Sequence, residues 1–200
     1  MKCLWVCSAF FVAMMCAGPS YAWAAHPLPI GGSSESNDKL TPSAIWTLAA
    51  RCAPSVPPRV LAGIAQTESA WHPYAISINY PVSSARRAGY RGKLVLIHQP
   101  KTKLEAIHWA EWYMKHGYTV SVGLVQVNVE MARKLNVPPM ALFEPCINLA
   151  AGAKILSEDY AAAMRDGAGV MEAFSLYNSG SSSLGIANGY ASSVMSNVSR

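Results

Sequence analysis

The chain has no dense basic run interleaved with aromatic residues, which argues against a nucleic-acid-binding surface. It has no stretch after residue 25 long and apolar enough to span a membrane, and no internal repeat. His72, His98, His108 and His116 lack the spacing of a helix-borne zinc motif and have no cysteine partners, so no metal is expected. The many serines near the end lie in no nucleophile-elbow pattern, and Gly152-Ala153-Lys154 lacks the other requirements of a phosphate loop. Cysteine is also scarce where it matters. Of five cysteines, Cys3, Cys7 and Cys16 fall in the first 24 residues, leaving Cys52 and Cys146.

What is present begins with Lys2, an apolar run from Leu4 to Ala17, a Gly18-Pro19 break and small residues at Ala22 and Ala24. This pattern predicts a cleavable signal peptide over residues 1–24, too short in its apolar run for a transmembrane helix. Residues 25–40, rich in Pro, Gly and Ser, are expected to be a flexible lead-in, and residues 41–200 one domain of a size that can bury a core. In the oxidising compartment that export implies, Cys52 and Cys146 either form one disulfide or remain two buried thiols. The formal charge of +5 falls to +4 once Lys2 is lost, which suits an acidic polymer surface and equally a solvated basic loop at Arg86 to Lys103.

Thr41-Pro42 reads as an N-cap and first-turn proline for a helix ending near Cys52. Pro57-Pro58 opens a second helix, expected to stop near His72-Pro73 because a residue before proline is pushed out of helical geometry. Residues 76–122 read as a small irregular β region, with Leu94 to Ile97 as one strand. Helices are expected over Lys103 to His116, Val129 to Leu135, Ile147 to Met164, Val170 to Tyr177 and Ile186 to Val198. The fold class is mainly α with a small β element.

On the second helix, Glu68 falls at helical spacing in line with Leu61, Ile64, Ala65 and Trp71. A carboxylate on an apolar stripe is desolvated, which favours its protonated form and suits a general acid, although a bond to a neighbouring Tyr or amide would explain it as well. Gly123-Leu124-Val125-Gln126-Val127-Asn128 and Tyr177-Asn178-Ser179-Gly180 are the other clusters able to carry chemistry. Each alone also reads as a turn or a helix cap. Trp109, Trp112 and Tyr113 could stack on sugar rings, but a helix face of that kind is more often core. Glu105, Glu111, Glu158, Asp159 and Glu172 have polar neighbours and read as solvated faces.

In order, these clusters resemble those of lysozyme-like lytic transglycosylases, specifically the small exported members associated with type IV secretion and conjugation. The matching residues are Glu68-Ser69 with Pro73, then Gly123, Leu124, Gln126 and Asn128, then Tyr177, Asn178 and Gly180, then Asn188-Gly189-Tyr190 and Val194. Leu142-Phe143-Glu144-Pro145-Cys146-Ile147-Asn148-Leu149 adds a segment found in secretion-associated members, which also tend to carry a cysteine ahead of the catalytic helix. Val125, Val127 and Ser179 depart mildly from the pattern, and residues 80–117 match only loosely.

The resemblance implies a goose-type lysozyme or soluble lytic transglycosylase fold. It implies cleavage of the β-1,4 bond between N-acetylmuramic acid and N-acetylglucosamine in peptidoglycan, with a 1,6-anhydro product. Glu68 would be the catalytic acid and then base. Ser69, Gly123, Leu124, Gln126, Asn128, Tyr177, Asn178 and Gly180 would bind substrate, with the amides on acetamido and hydroxyl groups and the glycines letting backbone approach the sugar. Tyr177 would bond near Glu68 or the acetamido group, and Tyr190 would support the site from behind. No cofactor or metal is implied. The expected partners are glycan strands and secretion-system components, for a periplasmic monomer. A lysozyme-like hydrolase of the same fold and a noncatalytic glycan-binding assembly factor are the alternatives.

Overall fold

The computed structural model describes residues 39–79, 93–96 and 98–199. The expected signal peptide and nearly all of the expected lead-in lie outside the described residues. So do Ile97 and the basic loop residues Arg86, Arg87 and Arg91.

Helix α1 spans Pro42–Cys52, with the Thr41 hydroxyl accepting from the Ala44 amide and proline in the first turn, as the sequence predicts. Helix α2 spans Pro58–Ser69 and buries Leu61, Ile64 and Ala65 completely. It ends before the expected His72-Pro73 stop. Ala70 and Trp71 take left-handed backbone at φ 50 and 65, and the Trp71 amide closes back on the Ala65 carbonyl. The Trp71 indole then donates to the Ala62 carbonyl, while the Trp71 carbonyl accepts from Leu40. Trp71 therefore folds back over the helix rather than extending its apolar stripe.

The expected irregular β region is a four-stranded antiparallel sheet in the order β2-β1-β3-β4. Its strands are β1 Ile76–Asn79, β2 Lys93–Val95, β3 Thr119–Val122 and β4 Val127–Asn128. Period-two alternation explains its two faces. Ile76, Ile78, Val120, Val122 and Val127 are all buried in the core, and Ser77, Asn79, Thr119, Ser121 and Asn128 share the opposite face. Helix α3, Lys103–Lys115, buries Ala106 and Ala110 and is capped by Thr102. Its Trp109, Trp112 and Tyr113 are half-buried, so the core reading holds only in part: Trp109 and Tyr113 pack against the core, while Trp112 stacks on exposed His116 with ring centroids 4.0 Å apart.

Helix α4, Val129–Lys134, and a short 3-10 turn, Pro139–Phe143, lead into α5, Pro145–Arg165, the longest helix described. Cys146 in its first turn forms a disulfide with Cys52, the last residue of α1. Closing a loop across 94 positions restricts the unfolded chain, a nominal ~4 to 5 kcal/mol in the entropy model. Helix α6, Val170–Ser179, ends on Gly180 in left-handed geometry. The expected single helix over 186–198 is two: α7, Leu184–Ala187, and α8, Tyr190–Val198. Gly189 at φ 82 separates them and turns α8 onto α2. Gly63 of α2 admits that approach, since a Cβ there would fall 2.7 Å from Val198 Cγ2.

Candidate active site

Glu68 sits half-buried in the last turn of α2, where the buried stripe of Leu61, Ile64 and Ala65 opens onto a groove. Two cavities of about 480 and 440 Å³ meet there and share Glu68, Gln126 and Asn178 as walls. The first runs along the polar face of the sheet past Asn79, Ser121 and Asn128, with Met131 and Ile155 as its apolar part. The second runs past the end of α2 toward Ser77, Gln99 and Tyr190. Glu68 is the only carboxylate among the described residues lining either cavity, and residues 80–92 contain no Asp or Glu.

The Tyr190 hydroxyl donates to Glu68 Oε1 at 2.8 Å, a closer role than support from behind. Burial first, then the Glu68 charge, hold the Tyr190 phenol well above its ordinary pKa, so it remains a donor. α8 is also tied to α2 about two turns further along its own length, where Asn197 donates to the Thr67 hydroxyl at 3.0 Å. Seen from the sequence alone, the Asn188-Gly189 break was the available signal that a new helix starts at Tyr190 and brings it to face α2.

The segment 123–126 is the tight loop between β3 and β4, and most of its polar groups are spent on holding its shape. Gln126, at φ 50, is buried: its Nε2 donates to the Ala75 and Gly123 carbonyls at 3.0 Å each, and its Oε1 accepts from Ser77 at 2.7 Å. Its carboxamide thus forms part of the groove wall with its own bonds already satisfied. Leu124 is fully buried, so its side chain is a core residue and not a substrate contact. Ser69 donates to the Leu124 carbonyl at 2.7 Å and to Ala65, which ties the end of α2 to this loop in place of binding substrate.

Gly123 is required by packing rather than by an approaching sugar. At φ 81 it makes room for Asn148, and a Cβ there would fall 2.3 Å from Asn148 Nδ2 and 2.8 Å from the Leu142 carbonyl. Fully buried Asn148 accepts from the Val125 amide at 2.9 Å and donates to the Val122 carbonyl at 2.8 Å. It holds the loop from α5, a role the sequence signalled only as a polar residue inside an otherwise apolar helical stripe.

Tyr177 lines the first cavity, and its hydroxyl is engaged with the loop between β3 and β4. That group donates to the Val125 carbonyl at 2.7 Å, over Gly152, where a Cβ would lie 3.1 Å from the phenol oxygen. Burial, then the charges of Glu68 and Asp159, push its pKa well above the ordinary value. Asn178, next along α6, also faces the groove. Its Oδ1 accepts from Asn188 at 3.2 Å, which orients the Nδ2 as a donor with no partner among the described residues. Gly180 only caps α6, its amide donating to Leu176 at 2.7 Å, and neither groove cavity counts it among its walls. Asn128 caps α4 through Oδ1 and donates from Nδ2 to Thr119 at 2.9 Å.

One acid departs from its expected solvated role. Asp159 on α5 is half-buried with an unbonded Oδ2, and burial, reinforced by Glu158, raises its pKa from 3.8 to about 6. It follows Gly152 and Ile155 at helical spacing on the Tyr177 side of α5.

Residues 46–197 match the transglycosylase SLT domain family. The type IV secretion system protein virB1 of Brucella suis biovar 1 (strain 1330) is 35% identical over 138 residues, 66% of this chain and 52% of that protein. Protein virB1 of Agrobacterium fabrum (strain C58 / ATCC 33970) is 32% identical over 149 residues, 73% of this chain and 56% of that protein. The chain thus spans about half the length of the curated relatives it matches. No solved structure matches it significantly. A helical domain with a small antiparallel sheet, a groove centred on one carboxylate and a family match over most of the chain agree: this protein belongs to the transglycosylase SLT domain family and has its lysozyme-like fold.

Proposed function

We propose that the protein is a lytic transglycosylase that cleaves the bond between N-acetylmuramic acid and N-acetylglucosamine in peptidoglycan. The observation that carries this reading is a groove with one carboxylate at its middle. Most glycoside hydrolases need two, about 5 to 9.5 Å apart, the second acting as nucleophile or activating water. A single acid suffices when the sugar supplies its own nucleophile. Glu68 in its acid form protonates the leaving O4 as the C1–O4 bond breaks, and the neighbouring acetamido group stabilises the cation at C1. The C6 hydroxyl then attacks C1, and ionised Glu68 takes its proton. One residue acts as acid and then as base, and no water is consumed.

Tyr190 fixes the carboxyl orientation through both steps, and the Asn178 Nδ2 supplies a donor for the sugar. The family match and the virB1 relatives support a role in opening the cell wall for a secretion apparatus. The leader-like first 24 residues support action in the periplasm. Incubation of the exported protein with purified sacculi tests the assignment of Glu68: Glu68→Gln is expected to release no soluble muropeptides, and undiminished release would refute it.

A further inference from the structure

Asn188 takes no part in the proton transfers, yet it joins two residues that flank them. Its Oδ1 accepts from the Tyr190 amide at 3.0 Å, and its Nδ2 donates to the Asn178 Oδ1 at 3.2 Å. The first bond fixes the polarity of the second. A backbone N–H can only donate, so the Asn188 atom beside Tyr190 must be its oxygen; the Nδ2 then points at Asn178, which must answer with its own oxygen. The Asn178 Nδ2 is left as a donor toward the groove, whose wall both asparagines form. Helix α7 holds this bridge in place. The Gly185 amide donates to the hydroxyl of fully buried Ser175 on α6 at 2.7 Å, and a Cβ on Gly185 would fall 2.6 Å from the Ser175 Cα. α7 is thus pressed against α6 about one turn ahead of Asn188.

Resting on the glycan-cleaving reading above, we propose that Asn188 is a positioning residue: a single carboxamide sets the direction in which Asn178 presents its donor to the sugar and seats Tyr190 against Glu68. The Tyr190 amide opens α8, and the N-cap residue, Gly189, has no side chain to accept from that helix start. The Asn188 Oδ1 fills the place across the left-handed turn at Gly189, in the manner of an Asx turn. The residue whose amide is held there carries the hydroxyl that donates to Glu68 Oε1 at 2.8 Å. Turning the Asn188 carboxamide over would set nitrogen against the Tyr190 N–H and oxygen against the Asn178 Oδ1, so neither limb reverses alone.

Asn188→Asp tests the polarity. The carboxylate still accepts from the Tyr190 amide, so the unfolding midpoint is expected to be unchanged. Its second oxygen opposes the Asn178 Oδ1 and turns the Asn178 carboxamide, so that an acceptor faces the groove. Added to Glu68→Gln in the full chain, the substitution is expected to weaken equilibrium binding of the N-acetylglucosamine pentamer about fivefold at pH 6.5, the worth of one hydrogen bond. At pH 3 the neutral carboxyl regains an O–H for Asn178, and affinity is expected to return to within about twofold of the Glu68→Gln protein at that pH. On top of Asn178→Ala, the substitution is expected to change nothing. Asn188→Ala removes both limbs, and with Glu68 intact its release of muropeptides from sacculi is expected to fall about tenfold below that of Asn178→Ala. No deficit at pH 6.5, a deficit that persists at pH 3 or on top of Asn178→Ala, or equal release by Asn188→Ala and Asn178→Ala would overturn the inference alone. Failure of the Glu68→Gln protein to bind the pentamer would overturn the glycan-cleaving reading and the inference with it. The expected binding pattern in a protein that releases no muropeptides would overturn the cleavage reading alone.

Discussion

Removing the Asn148 carboxamide should loosen the loop that frames the groove without touching Glu68. Asn148→Ala leaves the Val125 amide and the Val122 carbonyl without the partners now 2.9 and 2.8 Å away, both on fully buried residues. An orphaned buried N–H costs about 1 to 3 kcal/mol, and a carbonyl with a second lone pair in use costs less. The sum is about 3 kcal/mol, reduced somewhat if water enters the gap. For a domain of this size that lowers Tm by roughly 10 °C, measurable by thermal and urea unfolding. Because Gln126 and Gly123 share the loop, release from sacculi should also fall by about tenfold or more, since small misplacements in a site are costly. Asn148→Asp keeps an acceptor for Val125 but buries a charge against the Val122 carbonyl. It should be at least as destabilising at pH 7 and recover partly toward pH 4, where the carboxyl can donate. A loss under about 0.5 kcal/mol for Asn148→Ala would refute the claim that Asn148 holds the loop.

Two other outcomes follow from the site's electrostatics. The Asp159 pKa lies above its unfolded value, so its contribution is most favourable below pH 3.8 and is lost as pH rises through about 6. Asp159→Asn should therefore stabilise the protein at pH 7.5, by about 1 kcal/mol once the shift is discounted for a half-exposed group, and the gain should vanish near pH 4. Equal unfolding midpoints at both pH values would contradict this. Tyr190→Phe removes the donor to Glu68 while keeping the ring, so muropeptide release should fall about 10- to 100-fold, with a stability loss of only about 1 kcal/mol.

Much of the architecture was legible because local chemistry and tertiary packing agree there. Thr41-Pro42 caps α1 and Gly180 ends α6 as their residue types require, and the acid on the apolar stripe of α2 does open onto the groove. Legibility failed where a long-range contact decided the outcome. The left-handed Trp71 depends on its indole reaching Ala62, and the break at Gly189 matters because Tyr190 then meets Glu68 across 122 positions. Motif residues were read as ligands for the sugar, yet Ser69 and Tyr177 spend their hydroxyls, and Gln126 its Nε2, on the backbone around the loop, while the Gln126 Oε1 is taken by the Ser77 hydroxyl. The Ile76-Ser77-Ile78-Asn79 alternation did carry the signal for the polar sheet face, which only the pairing with β3 turns into a cavity wall.

Mass analysis of the muropeptides released from sacculi tests the central claim most directly. A lone Glu68 that serves as acid and then base predicts products one water lighter than hydrolysis gives, ending in 1,6-anhydro-N-acetylmuramic acid, and none from Glu68→Gln. Products with reducing muramic ends, formed by the unaltered protein, would contradict it.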